Sequence, residues 1–222
     1  MNKERNKIIF VLVVVVLIVA GFLFYNQRQN LGSETLVTQK EENIAGESSE
    51  NSNQETKVLV KDQTNKALLD QKMKEATTLF LKKDYEGAIN VYNQALSIEK
   101  SEYVYAGLYS AELATKDYEN AEKAILSAID QNSASSDYWS WYLVLLQDAM
   151  GAPREKLDQV YNKSLNSVLD NKKINIMTQY ARVLENIKDY SGAIAQWQKA
   201  ITLNPSMKEV YQREIDILKS KI

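Results

Sequence analysis

Cysteine and histidine are both absent from the 222-residue sequence. Without cysteine no disulfide can form, so the fold must be held by burial alone. Together the two absences remove the thiolate and imidazole ligands of zinc sites, the Cys-x-x-Cys redox motif, haem attachment, and every catalytic triad with an imidazole base. Any chemistry would have to run on carboxylate, lysine, tyrosine or serine. Charge of one sign is also missing in excess: 27 Lys plus Arg stand against 29 Asp plus Glu, which leaves no surplus to neutralise a phosphate backbone and argues against nucleic acid as a partner. Proline occurs twice and glycine 7 times, so little in the chain interrupts helices. With 45% hydrophobic and 25% charged residues there is material for one modest folded unit and its appendages.

One long apolar run is present. Ile8 to Tyr25 carries no charged or amide side chain over 18 residues. As a helix it spans about 27 Å, close to the hydrocarbon thickness of a bilayer, and Tyr25 stands where an interfacial aromatic belongs. A cleaved signal peptide has a shorter apolar core and a small-x-small site, which Phe22-Leu23-Phe24-Tyr25 does not offer. Lys3, Arg5 and Lys7 precede the run and Arg28 follows it, so the positive-inside rule puts residues 1–7 in the cytoplasm and everything after the span outside. The expected location is the cell membrane, single-pass, with the bulk of the chain extracytoplasmic.

Residues 26–64 are rich in Glu, Ser, Asn, Gln and Thr, and no aromatic occurs between Asn26 and Leu79. Such a composition buries too little surface to offset ordering entropy. The segment is expected to be a disordered linker between the anchor and a folded region at 65–222.

From there on one phrase organises the chain. Lys83-Asp84-Tyr85-Glu86-Gly87-Ala88 returns as Lys116-Asp117-Tyr118-Glu119-Asn120-Ala121 and as Lys188-Asp189-Tyr190-Ser191-Gly192-Ala193, with successive separations of 33 and 72 residues, one period and two. Fixed self-similarity of that length marks stacked repeats. Around Tyr85, the small or apolar residues Ala76, Leu79, Ala88, Tyr92, Ala95, Leu96 and Ile98 follow the i, i+3/i+4, i+7 spacing of two amphipathic helices joined at Lys83-Asp84. Asp84 is a natural N-cap, and Ala76, Ala88 and Ala95 mark a line where two helices cross closely. Tyr92, Ile125, Tyr161 and Trp197 hold equivalent positions in four periods, although the third has Met150-Gly151-Ala152-Pro153 for its turn, two residues longer. After Pro205, Ser206-Met207-Lys208-Glu209 reads as a capping box. It opens a last helix with the apolar stripe Met207, Val210, Tyr211, Ile215, Leu218 and Ile222.

These residues resemble the tetratricopeptide repeat, a 34-residue helix-turn-helix unit with fixed Tyr, Ala, aromatic, Ala and Pro positions. Tyr180-Ala181, Leu184, Tyr190, Ala193, Trp197, Ala200 and Asn204-Pro205 match it best. The resemblance implies an all-α fold: a right-handed solenoid of about four helix-turn-helix repeats over 65–222 with a C-terminal capping helix, preceded by one transmembrane helix and the disordered tether. It also implies a non-catalytic scaffold whose first helices line a concave groove for a protein or peptide segment, with no cofactor. Carried over position by position, that groove holds Met73, Thr77, Gly107, Ala111, Ser140, Val144, Gln147, Thr178, Arg182 and Glu185. It lacks the lysine and asparagine clamp that grips chaperone C-termini in some members of the family.

The alternative site is aromatic. Tyr103, Tyr105, Tyr109, Tyr138, Trp139, Trp141 and Tyr142 cluster in sequence. They read mainly as packing, with Trp141 the more exposed of the two tryptophans there, yet Tyr105, Tyr138 and Trp141 are the residues an envelope-carbohydrate binder or enzyme would use. Carboxylates such as Glu185, Asp189, Glu209 and Glu214 carry no signal of a shared cleft. Self-association through the last helix is a third reading.

Overall fold

A computed structural model describes the backbone of residues 49–222 and the side chains of residues 62–222. Among the described residues there are nine α-helices, a π-helical segment and a 3-10 turn, and no strand. In chain order the helices are α1 (Ser49–Leu81), α2 (Tyr85–Ile98), α3 (Glu102–Thr115), α4 (Tyr118–Gln131), α5 (Ser136–Val144), α6 (Arg154–Ser167), α7 (Asp170–Asn186), α8 (Tyr190–Leu203) and α9 (Lys208–Lys219). The chain forms two compact units, one ending at Ser110 and the other beginning at Ala111. No helix among the described residues is long and apolar enough to cross a membrane. The run 8–25 lies outside them.

The Lys-Asp-Tyr phrase is a complete helix-to-helix joint. Lys83, Lys116 and Lys188 have φ of 65, 66 and 65°, the only described non-glycine residues with positive φ. Asp84 N–H bonds the Leu79 carbonyl at 3.0 Å and Lys83 N–H the Phe80 carbonyl at 2.9 Å, the paired closure of a Schellman motif. The next residue reverses roles: the Asp84 carboxylate accepts from Gly87 N–H at 3.0 Å and so caps α2. Asp117 does the same for Asn120 at 3.1 Å and Asp189 for Gly192 at 2.9 Å. Two residues thus satisfy two orphan carbonyls at the end of one helix and an orphan N–H at the start of the next, which explains why the phrase repeats as a block.

In the first unit α1 and α2 form an antiparallel hairpin. Ala76, Ala88 and Ala95 have no exposed surface, as expected of a close crossing. Tyr92 is 1% exposed, and its ring lies where a side chain on Gly107 would begin: a Cβ there would sit 2.4 Å from Tyr92 Cε1. Phe80 and Tyr85 meet edge to face at 5.3 Å. Helix α1 corrects the expected boundary, because the 26–64 linker is helical from Ser49 onward. No proline or glycine interrupts 49–81, and nothing there forbids helix. Residues 62–68 are exposed, and Leu69 is the first buried side chain described.

In the second unit the equivalent alanines Ala121, Ala128, Ala193 and Ala200 and the residue Ile125 are fully buried, and Tyr161 and Trp197, at the position equivalent to Ile125, are buried. The irregular third turn is resolved by a π-helical stretch, Leu145–Ala149, continuing α5. Met150 N–H reaches the Leu145 carbonyl, Ala152 N–H reaches that of Leu146, and Gly151 turns the chain with φ 61° before Pro153. Widening the last turn absorbs the extra residues without unstacking the hairpin.

The C-terminal helix departs from two expectations. Its capping box does not form: Pro205–Met207 is a 3-10 turn, the Ser206 hydroxyl bonds the Asn204 side chain, and Met207 at the N-cap position makes no side-chain cap. The proline at the first position fixes a tighter turn before the box could close. The apolar stripe also splits. Ile215 and Leu218 are buried and Tyr211 stacks on Trp197 at 5.4 Å, whereas Met207, Val210 and Ile222 are exposed.

Adjacent residues of the joint should respond with opposite sign. Lys83→Gly relieves a left-handed side chain and should stabilise by about 0.5–1 kcal/mol after the entropy of glycine is allowed for. Asp84→Ala removes the cap and should destabilise by about 1 kcal/mol. Thermal and denaturant unfolding of the two variants reads both, and equal shifts in the same direction would contradict the assignment.

Candidate functional site

The residues expected to line a groove fall into three groups. On α1 in the first unit, Met73 and Thr77 are half-buried. The Thr77 hydroxyl donates to the Met73 carbonyl at 2.8 Å and is also a hydrogen-bond partner of the Tyr92 phenol, whose pKa burial pushes up against that bond. Gly107 and Ala111 form the second group and line nothing: both are buried, Gly107 beneath the Tyr92 ring. The repeat pattern places them on a first helix but does not say which side of it meets the second, and they stand on the packed side.

The third group is brought together. In the second unit α5 packs against α7, the first helices of two successive repeats. Asn175 donates to Ser136 Oγ at 3.2 Å and Asn186 to Gln147 Oε1 at 2.9 Å, each pair 39 residues apart in sequence. Equal offsets at both ends mean that the helices run parallel and in register. Ser140, Val144 and Gln147 on one strip and Thr178 and Glu185 on the other are half-buried, and Arg182 is exposed. Glu185 is held by Lys221 at 2.7 Å. The result is a mixed surface of hydroxyl, amide and aliphatic groups with one exposed guanidinium.

The aromatic alternative is not assembled as an open platform. Trp139 is 2% exposed, donates to the Ser133 carbonyl at 2.8 Å and has the Lys163 ammonium over its ring. Tyr138 is buried as well, against Trp141 at 5.5 Å edge to face, which corrects its assignment as a ligand contact. Trp141 is half-buried, the more exposed of the two tryptophans as expected. Tyr105, in the first unit, is half-buried too.

Two polar features escaped the sequence reading. Arg154 on α6 bonds Asp158 through Nε at 3.0 Å, reaches the Asp189 cap of α8 through Nη1, and lies 6.0 Å over the Tyr180 ring. Tyr180 donates to Asp158 and stacks on Tyr161 at 4.2 Å, while Tyr161 donates to Gln196 at 2.7 Å. Burial works against the Arg154 charge, but the bonds to Asp189 and Asp158 outweigh it and raise its pKa. The Asp189 carboxyl is correspondingly lowered, first by the Gly192 amide and then by Arg154. Two links of this network, Arg154–Asp189 and Tyr161–Gln196, each join residues 35 apart in sequence, and no local pattern announces it. The second feature is Glu112 on α3, 8% exposed, with Oε2 buried and unpartnered. Burial and the nearby Asp117 charge push its carboxyl up to about 7, with Lys123 opposing. Among the described residues no cluster of three potential metal ligands occurs.

A family model described as Tetratricopeptide repeat matches residues 73–102, which cover the end of α1, all of α2 and the first residue of α3. No curated protein matches the chain. A solved structure from the functional characterization of Pseudomonas aeruginosa pilF is similar over 71% of this chain and 70% of its own, with a TM-score of 0.55 and 16% identity, a likeness in fold. The crystal structure of MamA protein aligns over 64% of this chain and 94% of its own at 18% identity and a TM-score of 0.41. The all-helical, repeat-built reading therefore stands on the fold itself, on one matched repeat and on a similar solved structure.

Glu112 supplies a pH test. Because its folded pKa is raised from the ordinary value of 4.5, its neutral form is favoured in the fold. That contribution is fully present below about pH 4.5 and is lost as pH rises through about 7. Glu112→Gln cannot titrate, so the variant should gain on the wild type by about 1–3 kcal/mol between pH 4.5 and 8. Urea unfolding across that range measures the difference, and parallel curves would show that the buried carboxyl is not neutral.

Proposed function

We propose that this chain is a membrane-anchored, non-catalytic scaffold that holds a segment of another protein, in the cell envelope, on the face formed by its first-position helices. The observation that carries the reading is the parallel, in-register pairing of α5 and α7. It sets Ser140, Val144, Gln147, Thr178, Arg182 and Glu185 on neighbouring helices with part of each side chain accessible. A surface with hydroxyls, amides, one aliphatic side chain and one guanidinium suits a peptide, which offers backbone donors and acceptors along its length. The anchor rests on the sequence: 18 uncharged residues at 8–25 behind a basic flank. The right-handed solenoid is the arrangement that the repeat resemblance supports.

Two experiments address the two halves of this reading. Photocrosslinking from the α5–α7 face in intact cells should capture a defined partner, and Arg182→Glu should reduce capture at least about tenfold, since one lost charged contact is worth about 1.4 kcal/mol or more. Stability should change by under about 0.5 kcal/mol, because Arg182 is exposed. Lys199→Glu on the exposed side of α8 is the control. Capture that survives Arg182→Glu but is abolished by Trp141→Ala in a folded protein would move the site to the aromatic cluster.

The topology is read separately. Protease added outside intact cells should cut between about Gln29 and Ser49 and release a soluble helical fragment. Cleavage only after lysis would reverse the orientation.

A further inference from the structure

Glu185 belongs to the α5–α7 face, yet its carboxylate is already taken. Lys221, three residues past the last buried side chain of α9, donates to Glu185 Oε1 at 2.7 Å. The same ammonium lies 5.5 Å over the Tyr190 ring, and the charge of Glu214 acts on it as well. Glu185 comes from α7, Tyr190 from the start of α8 and Glu214 from α9, so three helices converge on one cation. A carboxylate that accepts, an aromatic face within about 6 Å and a second negative charge are the groups that recognise an ammonium or guanidinium. All three residues are half-buried, which leaves the pocket a way in from solvent.

Holding Lys221 there does little for the fold. The side chains of Lys221 and Glu185 are 39% and 29% exposed, and ion pairs in such settings add little stability. No described residue beyond Leu218 is buried, so the lysine side chain can swing out without disturbing the core. Its effect falls on the surface instead. Arg182 stands one turn before Glu185 on the same side of α7. With Lys221 in place this end of the face presents two cations; with Lys221 withdrawn it presents one cation beside an anionic, aromatic pocket. We infer that Glu185, Tyr190 and Glu214 form a pocket for a lysine or arginine side chain of the segment bound on this face, and that Lys221 fills it as an internal substitute until that side chain displaces it. The ligand's identity as a bound segment rests on the groove reading above, whereas the pocket rests on the contacts of Lys221. Because Lys221 competes from within the same chain, an incoming cation binds more weakly by the fraction of pockets left open.

Two measurements on the full-length chain separate the pocket from the partner. The first is an NMR titration in detergent with a capped Ser-Lys-Ile peptide, the sequence of residues 220–222. Lys221→Met, which keeps the aliphatic stem and loses the ammonium, should bind this peptide several-fold more tightly than the wild type. A peptide with norleucine in place of lysine should not bind. Adding Glu185→Gln to Lys221→Met should weaken binding about tenfold, with helicity and melting temperature unchanged. The second is photocrosslinking from the α5–α7 face in cells, where Lys221→Met should raise partner capture several-fold and Lys221→Met/Glu185→Gln should abolish that gain. Equal peptide binding by wild type and Lys221→Met overturns the inference, as does binding that ignores Glu185→Gln or the loss of the peptide's ammonium. A partner captured equally by wild type and Lys221→Met also overturns it and leaves the groove reading standing. Peptide binding as expected, with no partner captured by either chain, upholds the pocket and sinks the groove reading.

Discussion

Ending one helix and starting the next within two residues leaves up to four carbonyls and four N–H groups without intrahelical partners. In this chain the lysine-aspartate joint meets part of that demand three times in the same way. The lysine adopts the left-handed conformation that lets its own amide and the next turn back to the last carbonyls. The aspartate then caps the helix that follows. Because the joint fixes the path from one helix into the next, it also sets which residues meet along the hairpin. That is why residues as small as Ala76, Ala88, Ala121 and Ala193 can be fully buried at the crossings. A larger side chain there would separate the helices whose ends the joint has already positioned.

The third repeat shows what happens when the joint is absent. Here Met150-Gly151-Ala152-Pro153 replaces Lys-Asp-Tyr, the preceding helix relaxes into a π-helical turn, and Pro153 precedes α6 without a side-chain cap. The neighbourhood is rich in long-range side-chain bonds. Arg154, the first residue after that turn, joins Asp158, Tyr180 and the Asp189 cap. The weakest joint in local terms is thereby tied to one of the regular ones. Pairing of α5 and α7 by Ser136–Asn175 and Gln147–Asn186 reinforces the same region, and it carries the surface proposed for partner binding. Order at that surface thus rests on side-chain bonds as well as on backbone joints.

Hydrophobic spacing, the aspartate caps and the buried alanines were legible in the sequence, because each depends on contacts within one hairpin of about 33 residues. Other features were not. Gly107 and Ala111 were placed on the correct helix but on a buried side, since which face of a helix is covered is decided only when the chain packs, Gly107 beneath the Tyr92 ring. Ser206 and Glu209 satisfy a local capping pattern, yet the turn at Pro205 pre-empts it. Tyr138 looked like a ligand contact and is covered by its own unit. Composition marked 26–64 as a disordered linker, yet the chain is helical from Ser49 onward, because helix needs only the absence of breakers whereas a core needs apolar surface.

By itself the sequence determined the helical class, the repeat length, the joint chemistry and the exclusion of imidazole and thiolate chemistry, because these follow from local dihedral preferences and from residues that are simply not there. Tertiary structure decided what depends on distance across the chain. Glu112 is a buried acid with an unpartnered oxygen only because its surroundings close over it. Arg154 finds Asp189, 35 residues further on, only because the chain between them returns to the same place. Val210 and Ile217 are exposed because the inward positions of α9 go to Tyr211, Ile215 and Leu218, and a helix can bury only one side against the hairpin beneath it.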